Sequence, residues 1–165
     1  MKIKNILIAG LVIIVGAAAA FYLFQSEEKK VKKQFHLLSE WVSKDAGENL
    51  ITMARKTKSI GTLFAESCVL KSPFESVSGT YTPEEIVSYA ARGRIHCSQL
   101  SLKFYDIRIR FPEKGLARAT LTFKLTGRST WGESFDETRE LECSLKKIDK
   151  KWLFSDFEVV EVLRK

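Results

Sequence analysis

The sequence predicts an α+β protein in which an N-terminal transmembrane helix precedes three helices packed in a strongly bent antiparallel sheet. Three observations carry this prediction: an apolar run at Ile6–Phe24, helical spacing of apolar residues between positions 26 and 95, and a period of two from residue 100 onward. The chain has 165 residues, 45% of them apolar, and a net charge of +7. This length suits an anchor over residues 1–25 and one domain over residues 26–165.

The apolar run predicts a membrane anchor. It contains nineteen residues and no Lys, Arg, Asp or Glu, and its length as a helix is about 28 Å, close to a hydrocarbon core of ~30 Å. The alternative is a cleaved signal peptide, for which Ala17–Ala20 would supply the small residues of a cleavage site. Because Phe21–Phe24 prolongs the run beyond the usual length of a signal-peptide core, an uncleaved anchor is favoured.

The lysines that flank the run bear on orientation. Lys2 and Lys4 precede it and four lysines lie between residues 29 and 33, so the positive charges are nearly balanced. A short N-terminal flank with two lysines is typical of a bacterial signal-anchor, which predicts a single pass of the bacterial inner membrane with the C-terminal domain in the periplasm. If the domain faces the cytoplasm instead, residues 29–33 suit an anionic lipid surface, although a solvated helix face is the simpler interpretation.

Three helices are predicted in the domain. Residues 26–45 carry apolar side chains at helical spacing, and Ser26 is a candidate N-cap. A second helix is expected from about Asn49 to Phe64. The third begins at Thr82, where the sequence Thr-Pro-Glu-Glu has the capping-box pattern, and it ends near Ile95.

The strands are predicted where the spacing of apolar residues changes from helical to alternating. Residues 67–71 form a short extended run, and residues 79–83 are expected to form a turn. From residue 100 the apolar positions alternate, and their parity switches at Tyr105 and Asp106, which predicts a β-bulge.

A half-buried strand is predicted over residues 117–126, since apolar and polar residues alternate there. Its polar side chains face water and are candidates for an interface: Arg118, Thr120, Thr122 and Lys124. Glu140 and Glu142 on the following strand are expected to pair with Arg118 or Lys124. A tight hairpin at residues 148–152 then leads into a last strand that ends near Leu163.

Three stretches, at residues 63–73, 79–86 and 149–154, resemble the nuclear transport factor 2-like superfamily, also called SnoaL-like or ketosteroid-isomerase-like. The resemblance covers roughly residues 30–163. It implies a cystatin-like cone, in which a bent sheet surrounds helices and a pocket opens at one end. Members include isomerases, cyclases, dehydratases, transport adaptors and envelope scaffolds, and many pair through the sheet face.

One position departs from the isomerase branch of that superfamily. There a carboxylate near the end of the first strand is the general base, and the matching residue here is Ser72. A serine hydroxyl does not act as a general base near neutral pH. No catalytic residue is therefore assigned, and an enzyme acting on a hydrophobic substrate, as an isomerase, cyclase or dehydratase, is kept as the alternative.

Five residues are candidates for the mouth of a pocket. Two of them are titratable: His96 lies between the third helix and the first long strand, and Asp106 lies at the predicted bulge. Three aromatic residues could line an opening: Tyr81, Tyr89 and Trp131. The simpler interpretation places the titratable groups in exposed turns and the aromatic rings in the core.

Composition excludes several classes of function. Two His and three Cys are too few and too scattered for a metal site, so neither metal nor cofactor is expected. A disulfide between Cys97 and Cys143 is conceivable, but buried free thiols are the simpler interpretation. Basic residues are mixed with acidic ones along residues 25–165, whose net charge is +5, so nucleic acid is not an expected partner.

The sequence thus predicts a membrane-anchored, non-catalytic binding module. Its partner would be a small apolar ligand in the cone or an envelope protein on the sheet face, with a homodimer through the sheet as one form of the latter. Membrane contact is assigned to residues 6–24.

Overall fold

The computed structural model describes residues 2–73 and 77–160. Within them the chain forms three helices and six strands in the order predicted for an α+β cone. The elements are α1 Lys2–Val42, α2 Leu50–Gly61, β1 Phe64–Lys71, β2 Gly79–Tyr81, α3 Pro83–His96, β3 Cys97–Glu113, β4 Leu116–Ser129, β5 Ser134–Ile148 and β6 Lys151–Val160.

The first helix is continuous from the apolar run into the domain. Its 41 residues correspond to a length of about 60 Å. Ser26 lies inside this helix, so the expected N-cap at Ser26 is wrong. No Gly or Pro interrupts residues 17–46, and Lys30 and Lys32 form ion pairs with Glu27 and Glu28 one turn earlier. The exposed stretch of this helix is long and apolar enough to cross a membrane.

The helices α2 and α3 begin at the residues that the sequence indicates. Asn49 caps α2 by accepting a hydrogen bond from the Thr52 backbone. Thr82 and Glu85 form the reciprocal capping box at the start of α3.

One curled sheet contains all six strands, in the order β2-β1-β6-β5-β4-β3. Neighbouring strands are antiparallel except β1 and β6, which are parallel. The expected turn at residues 79–83 is wrong for its first three residues, because Gly79–Tyr81 pairs with Cys68–Leu70 as the strand β2. This short strand satisfies backbone groups that β1 would otherwise leave unpaired at the sheet edge.

The predicted bulge in β3 is confirmed. Asp106 has a φ of 54°, and the pairing of β3 with β4 shifts between Tyr105 and Arg108. The extra residue moves the apolar positions from even to odd numbers, so that Phe104 and Ile107 both pack against the core. A strand of 17 residues can therefore bend while it keeps one apolar face.

The helix α1 lies along the inner face of the sheet and runs opposite to β3. The ring of Phe24 is 6.0 Å from that of Phe111, and Phe35 is 5.4 Å from Phe104 farther along both elements. The hairpin tips at residues 113–116 and 148–151 therefore lie beside the end of the apolar run, and the start of β3 lies at the opposite end of the domain.

Candidate functional site

The inside of the curled sheet is filled by the chain's own aromatic side chains. Phe35 and Phe154 are fully buried with ring centroids 5.1 Å apart. Phe64 and Phe157 continue this cluster, at 5.6 and 5.1 Å from Phe154. Trp152 is also buried, and edge-on and tilted ring contacts of this kind add to the stability that burial provides.

The helix layer contains a buried arginine. Arg94 of α3 is 1% exposed, and its Nη1 donates to the backbone oxygens of Trp41, Val42 and Ser43 at 2.7–2.8 Å. Two of these carbonyls belong to the last turn of α1 and the third directly follows it, where no further helical N–H is available to them. Arg94 therefore caps α1, and its Nη2 also pairs with Glu48.

Two lysines complete this cluster. Lys56 lies 2.8 Å from the Glu48 carboxylate, and Lys44 donates to the backbone oxygens of Arg94 and Cys97 at the end of α3. Burial alone raises the pKa of Glu48, but Lys56 and Arg94 outweigh it, and the pKa is lowered from its ordinary value. The cluster joins the ends of α1 and α3. No local pattern in the sequence indicates this cluster, because arginine is seldom buried.

The aromatic pocket candidates lie in two separate pairs. Tyr81 and Tyr89 meet edge to face at 5.5 Å, and Arg92 lies over the Tyr89 ring, which is 57% exposed. At the end of α3, His96 stacks on Trp131 at 5.7 Å, and Trp131 is 76% exposed.

Asp106 lies apart from both pairs. It is exposed on the outer face of the sheet, where it lines a groove of about 300 Å³ with Arg108, Thr120, Thr122 and Glu140. The five pocket candidates therefore lie in three separate places and do not form one site. The described parts of the aromatic core contain none of them.

Ser72, at the position of the general base in the isomerase branch, directly follows β1. The backbone N–H and oxygen of Ser72 are both hydrogen-bonded to the Ser78 hydroxyl.

All three cysteines are free and buried, so no bridge joins Cys97 to Cys143. Burial raises the pKa of Cys68 to about 12, and the Asp156 carboxylate adds to the shift. Within residues 2–73 and 77–160, no three His, Cys, Asp or Glu side chains cluster as a metal site would require.

The outer face of the sheet separates positive from negative charge. On its β3–β4 half, Arg110 lies directly opposite Arg118, and Lys103 lies opposite Lys124. Like charges placed opposite each other on neighbouring strands are destabilising.

The β5–β6 half of the same face is acidic. Glu142 of β5 lies opposite Glu158 of β6, and Asp156 lies one pair farther along. Together with Glu140, these residues form an acidic strip beside the basic one. We call the two halves the basic strip, on β3 and β4, and the acidic strip, on β5 and β6.

The expected ion pairs between these strips do not form. The register places Thr120 opposite Glu142 and Thr122 opposite Glu140, while Lys124 pairs with Asp136 at 3.1 Å. Across the described ranges, Arg118 and Arg110 have no acidic partner. The four interface candidates of β4 all lie on this outer face, on the strand that borders the acidic strip: Arg118, Thr120, Thr122 and Lys124.

A larger polar groove lies at the end of the domain away from the apolar run. Its volume is about 740 Å³, and Lys44, Gln99, Arg128 and Asp136 are among its lining residues. Gly127 forms part of its wall, and a Cβ there would lie 2.5 Å from the Phe135 ring. The glycine is therefore needed for the close approach of β4 and β5.

Solved structures share this architecture. A protein from Novosphingobium aromaticivorans with the provisional name scytalone dehydratase matches with a TM-score of 0.66 and 16% identity, over 84% of this chain and 86% of that one. A hexachlorocyclohexane dehydrochlorinase, LinA type 2, matches with a TM-score of 0.66 and 12% identity, over 82% and 85% of the two chains.

A third solved structure with the same architecture is named as an association domain. It is a Xanthomonas campestris protein provisionally named as a calcium/calmodulin dependent protein kinase II association domain, with a TM-score of 0.57 and 13% identity, over 82% of this chain and 84% of that one. No protein-family profile matches the sequence, and no curated protein matches it significantly. The structural matches show that the chain has the nuclear transport factor 2-like fold.

Proposed function

We propose that this chain is a membrane-anchored, non-catalytic binding module whose outer sheet face binds a protein partner, and that this partner is a second copy of the chain. The observation that carries the proposal is the separation of charge on that face. Arg110 beside Arg118 is unfavourable in a single copy, whereas Glu158 of the acidic strip already pairs with Lys71 at 3.7 Å. A partner that places acidic side chains such as Glu142 against these two arginines relieves the repulsion between them.

The two strips complement each other in one symmetric arrangement. A two-fold axis along the strands lays β3 and β4 of one copy on β6 and β5 of the other, so the basic strip meets the acidic strip twice. An axis across the strands would lay each strip on itself. The outer face is thus self-complementary in the first arrangement only.

The membrane favours the same arrangement. Because α1 lies along β3, with Phe24 at Phe111 and Phe35 at Phe104, an axis along the strands leaves both apolar runs at the same end of the dimer. Both then enter one membrane. An axis across the strands would place the two runs at opposite ends, which one flat membrane does not allow.

The filled cone favours binding over catalysis. Members of the fold named above include a dehydratase and a dehydrochlorinase, and such chemistry needs a substrate beside an ionisable group. Here aromatic rings around Phe154 occupy the inside of the sheet, and the titratable candidates His96 and Asp106 are exposed. A small apolar ligand in the cone would have to displace these rings.

Charge reversal tests the dimer. We expect the full chain in neutral detergent to sediment as a dimer, and Arg118→Glu or Glu142→Arg alone to lower the dimer affinity at least about tenfold, since either places like charges across the interface. The double variant R118E/E142R restores opposite charges and should recover dimerisation. Arg92→Glu, on an exposed helix face, is the matched control and should leave the affinity unchanged.

Two results would contradict the proposal: a full chain that sediments as a monomer at all accessible concentrations, or single reversals without effect. Failure of the double variant to recover would place the interface elsewhere.

The periplasmic orientation is tested separately. A fusion of alkaline phosphatase after Lys165 should be active, and a cytoplasmic fluorophore at the same position should stay dark. The reverse pair of signals would place the domain in the cytoplasm.

A further inference from the structure

Two hairpin tips lie level with the end of the apolar run. The ring of Phe24, the last apolar residue of that run, contacts Phe111 near the tip at residues 113–116. Phe111 in turn lies 5.7 Å from Trp152, next to the tip at residues 148–151. If the run crosses a membrane, both tips therefore reach its headgroup layer, which extends several Å beyond the hydrocarbon core.

Glu27 fixes this arrangement. Its carboxylate accepts hydrogen bonds from Lys147 at 2.8 Å and from the Trp152 indole at 2.7 Å. Burial raises the pKa of Glu27, but the hydrogen bonds from Lys147, Lys30 and Trp152 outweigh it and bring the pKa to about 2. The carboxylate is ionised at neutral pH, so the hairpin of β5 and β6 stays attached to the first turn of α1 beyond the run.

This end of the domain has an excess of lysine. Lys30, Lys32 and Lys147 pair with Glu27 or Glu28. Six others are exposed and form no ion pair within the described residues: Lys29, Lys33, Lys114, Lys146, Lys150 and Lys151. Such a concentration of unpaired cations at one end is unfavourable without a nearby source of negative charge.

Four lysines of this end surround an apolar groove of about 340 Å³ between α1 and the hairpin of β5 and β6. Its floor contains Leu37, Trp41 and Leu153. The rim is formed by Lys30, Lys33, Lys150 and Lys151. We call it the lysine-rimmed groove.

The hairpin tip itself departs from the usual turn chemistry. Asp149 and Lys150 have φ of 47° and 66°, the geometry of a type I′ turn, in which glycine is favoured at the second position. A lysine there is strained relative to glycine. The chain thus places a cation at the exposed point of the tip, next to Ile148, which is 42% exposed.

We propose that this end of the domain binds the headgroups of anionic phospholipids in the membrane that α1 crosses, and that the hairpin tips and the rim of the lysine-rimmed groove supply the cations. The inference rests on the anchoring role proposed above. Cations beside a membrane are attracted by its anionic lipids, and here the hairpin tips place unpaired lysines level with the end of the apolar run, with Lys29 and Lys33 on the next turns of α1. The exposed Ile148 adds an apolar contact at the same depth.

Lipid retention tests the proposal. We expect the full chain in neutral detergent to bind phosphatidylglycerol in preference to phosphatidylcholine, measured by native mass spectrometry during lipid titration. The triple variant K33Q/K150Q/K151Q should lower the affinity for phosphatidylglycerol at least about tenfold, since each lysine contributes roughly a fivefold effect near an anionic surface. The control R55Q/R92Q/R128Q removes the same charge from exposed sites elsewhere and should retain the lipid.

Lys150→Gly separates binding from folding. It removes one cation and also relieves the left-handed strain, so its Tm should not fall while its affinity for phosphatidylglycerol drops about threefold to fivefold.

Three outcomes would each overturn the proposal. They are equal binding of the two lipids, equal losses of affinity in the triple variant and its control, and displacement of the lipid by inorganic phosphate at the same concentration. Carbonate extraction of membranes tests the anchor independently. Release of the chain into the carbonate supernatant would contradict the anchor, whereas the lipid titration tests headgroup binding separately.

Discussion

The two faces of the sheet differ although they share the same strands. Along β4, Ala117, Ala119 and Leu121 point inward and are buried, while Arg118 and Thr120 between them point outward. The inner face is completed by rings of α1 and β6, and the outer face keeps a basic strip beside an acidic strip. The inner face therefore stabilises the domain, and the outer face is the one for which we propose binding.

The strongest test of the inner face is Phe154→Ala. Phe154 is fully buried and contacts the rings of Phe35, Phe64 and Phe157, so we expect the free energy of unfolding to fall by about 3–5 kcal/mol. Chemical denaturation of the full chain in neutral detergent measures this. Tyr105→Ala on the outer face is the matched control and should cost less than about 1 kcal/mol. Equal losses would mean that the inner face is not packed as described.

Gly127→Ala tests how closely the strands approach at the far end of the inner face. The new Cβ would lie 2.5 Å from the Phe135 ring and 2.8 Å from the Gln99 backbone oxygen. We expect the variant to lose about 1–3 kcal/mol of unfolding free energy, because strands and ring must shift. Gly93→Ala, at an open position of α3, should instead gain about 0.5–1 kcal/mol. A stable Gly127→Ala protein would contradict the close approach.

Glu27→Gln tests the junction between α1 and the sheet. The folded pKa of Glu27 is about 2, below its ordinary value of 4.5. The carboxylate therefore stabilises the fold above pH 4.5, and this contribution is lost as the pH falls toward 2. The variant should be about 1–2 kcal/mol less stable at pH 7.

Denaturation midpoints at several pH values between 2 and 7 measure this effect. Wild type and Glu27→Gln should converge near the acid end of that range. Glu28→Gln, which affects only an exposed pair with Lys32, should change stability by less than about 0.5 kcal/mol. A difference for Glu27→Gln that is independent of pH would contradict the assigned role of the carboxylate.

The smallest expected effect lies on the outer face. Arg110→Ser removes one of two like charges that face each other, so the single copy should gain about 0.2–1 kcal/mol of unfolding free energy. The same variant should bind its second copy more weakly, which sedimentation detects. Lys58→Ser on α2 is the control for both measurements. A variant that loses stability would show that Arg110 is already balanced within one copy.

Local signals in the sequence were enough for the individual elements. The parity switch at Tyr105 and Asp106 predicted the bulge, because side chains of a strand alternate strictly between its two faces. The capping box at Thr82 predicted the start of α3, since its hydrogen bonds join residues only three apart.

Features that depend on distant contacts were not predictable. Ser26 looked like a helix start, yet Glu27 of the same turn is held by Trp152, 125 residues away, and the helix continues. The buried Arg94 needs the end of α1 as its partner, which no local pattern indicates. The basic and acidic strips follow from residues visible in the sequence, but only the register of β3 to β6 reveals that like charges face each other.

The distance between the Thr122 positions of two copies decides whether the chain pairs through its outer face, because Thr122 lies on β4 directly opposite Glu140 of the acidic strip. A spin label on Thr122→Cys is selective, since the three native cysteines are buried. With two sheets packed face to face at ~10 Å, we expect a label-to-label distance of roughly 10–25 Å in nanodiscs. The matched label at Lys58→Cys should report a longer distance. Absence of a dipolar signal at residue 122, or a distance there above roughly 40 Å, would contradict pairing through the outer face.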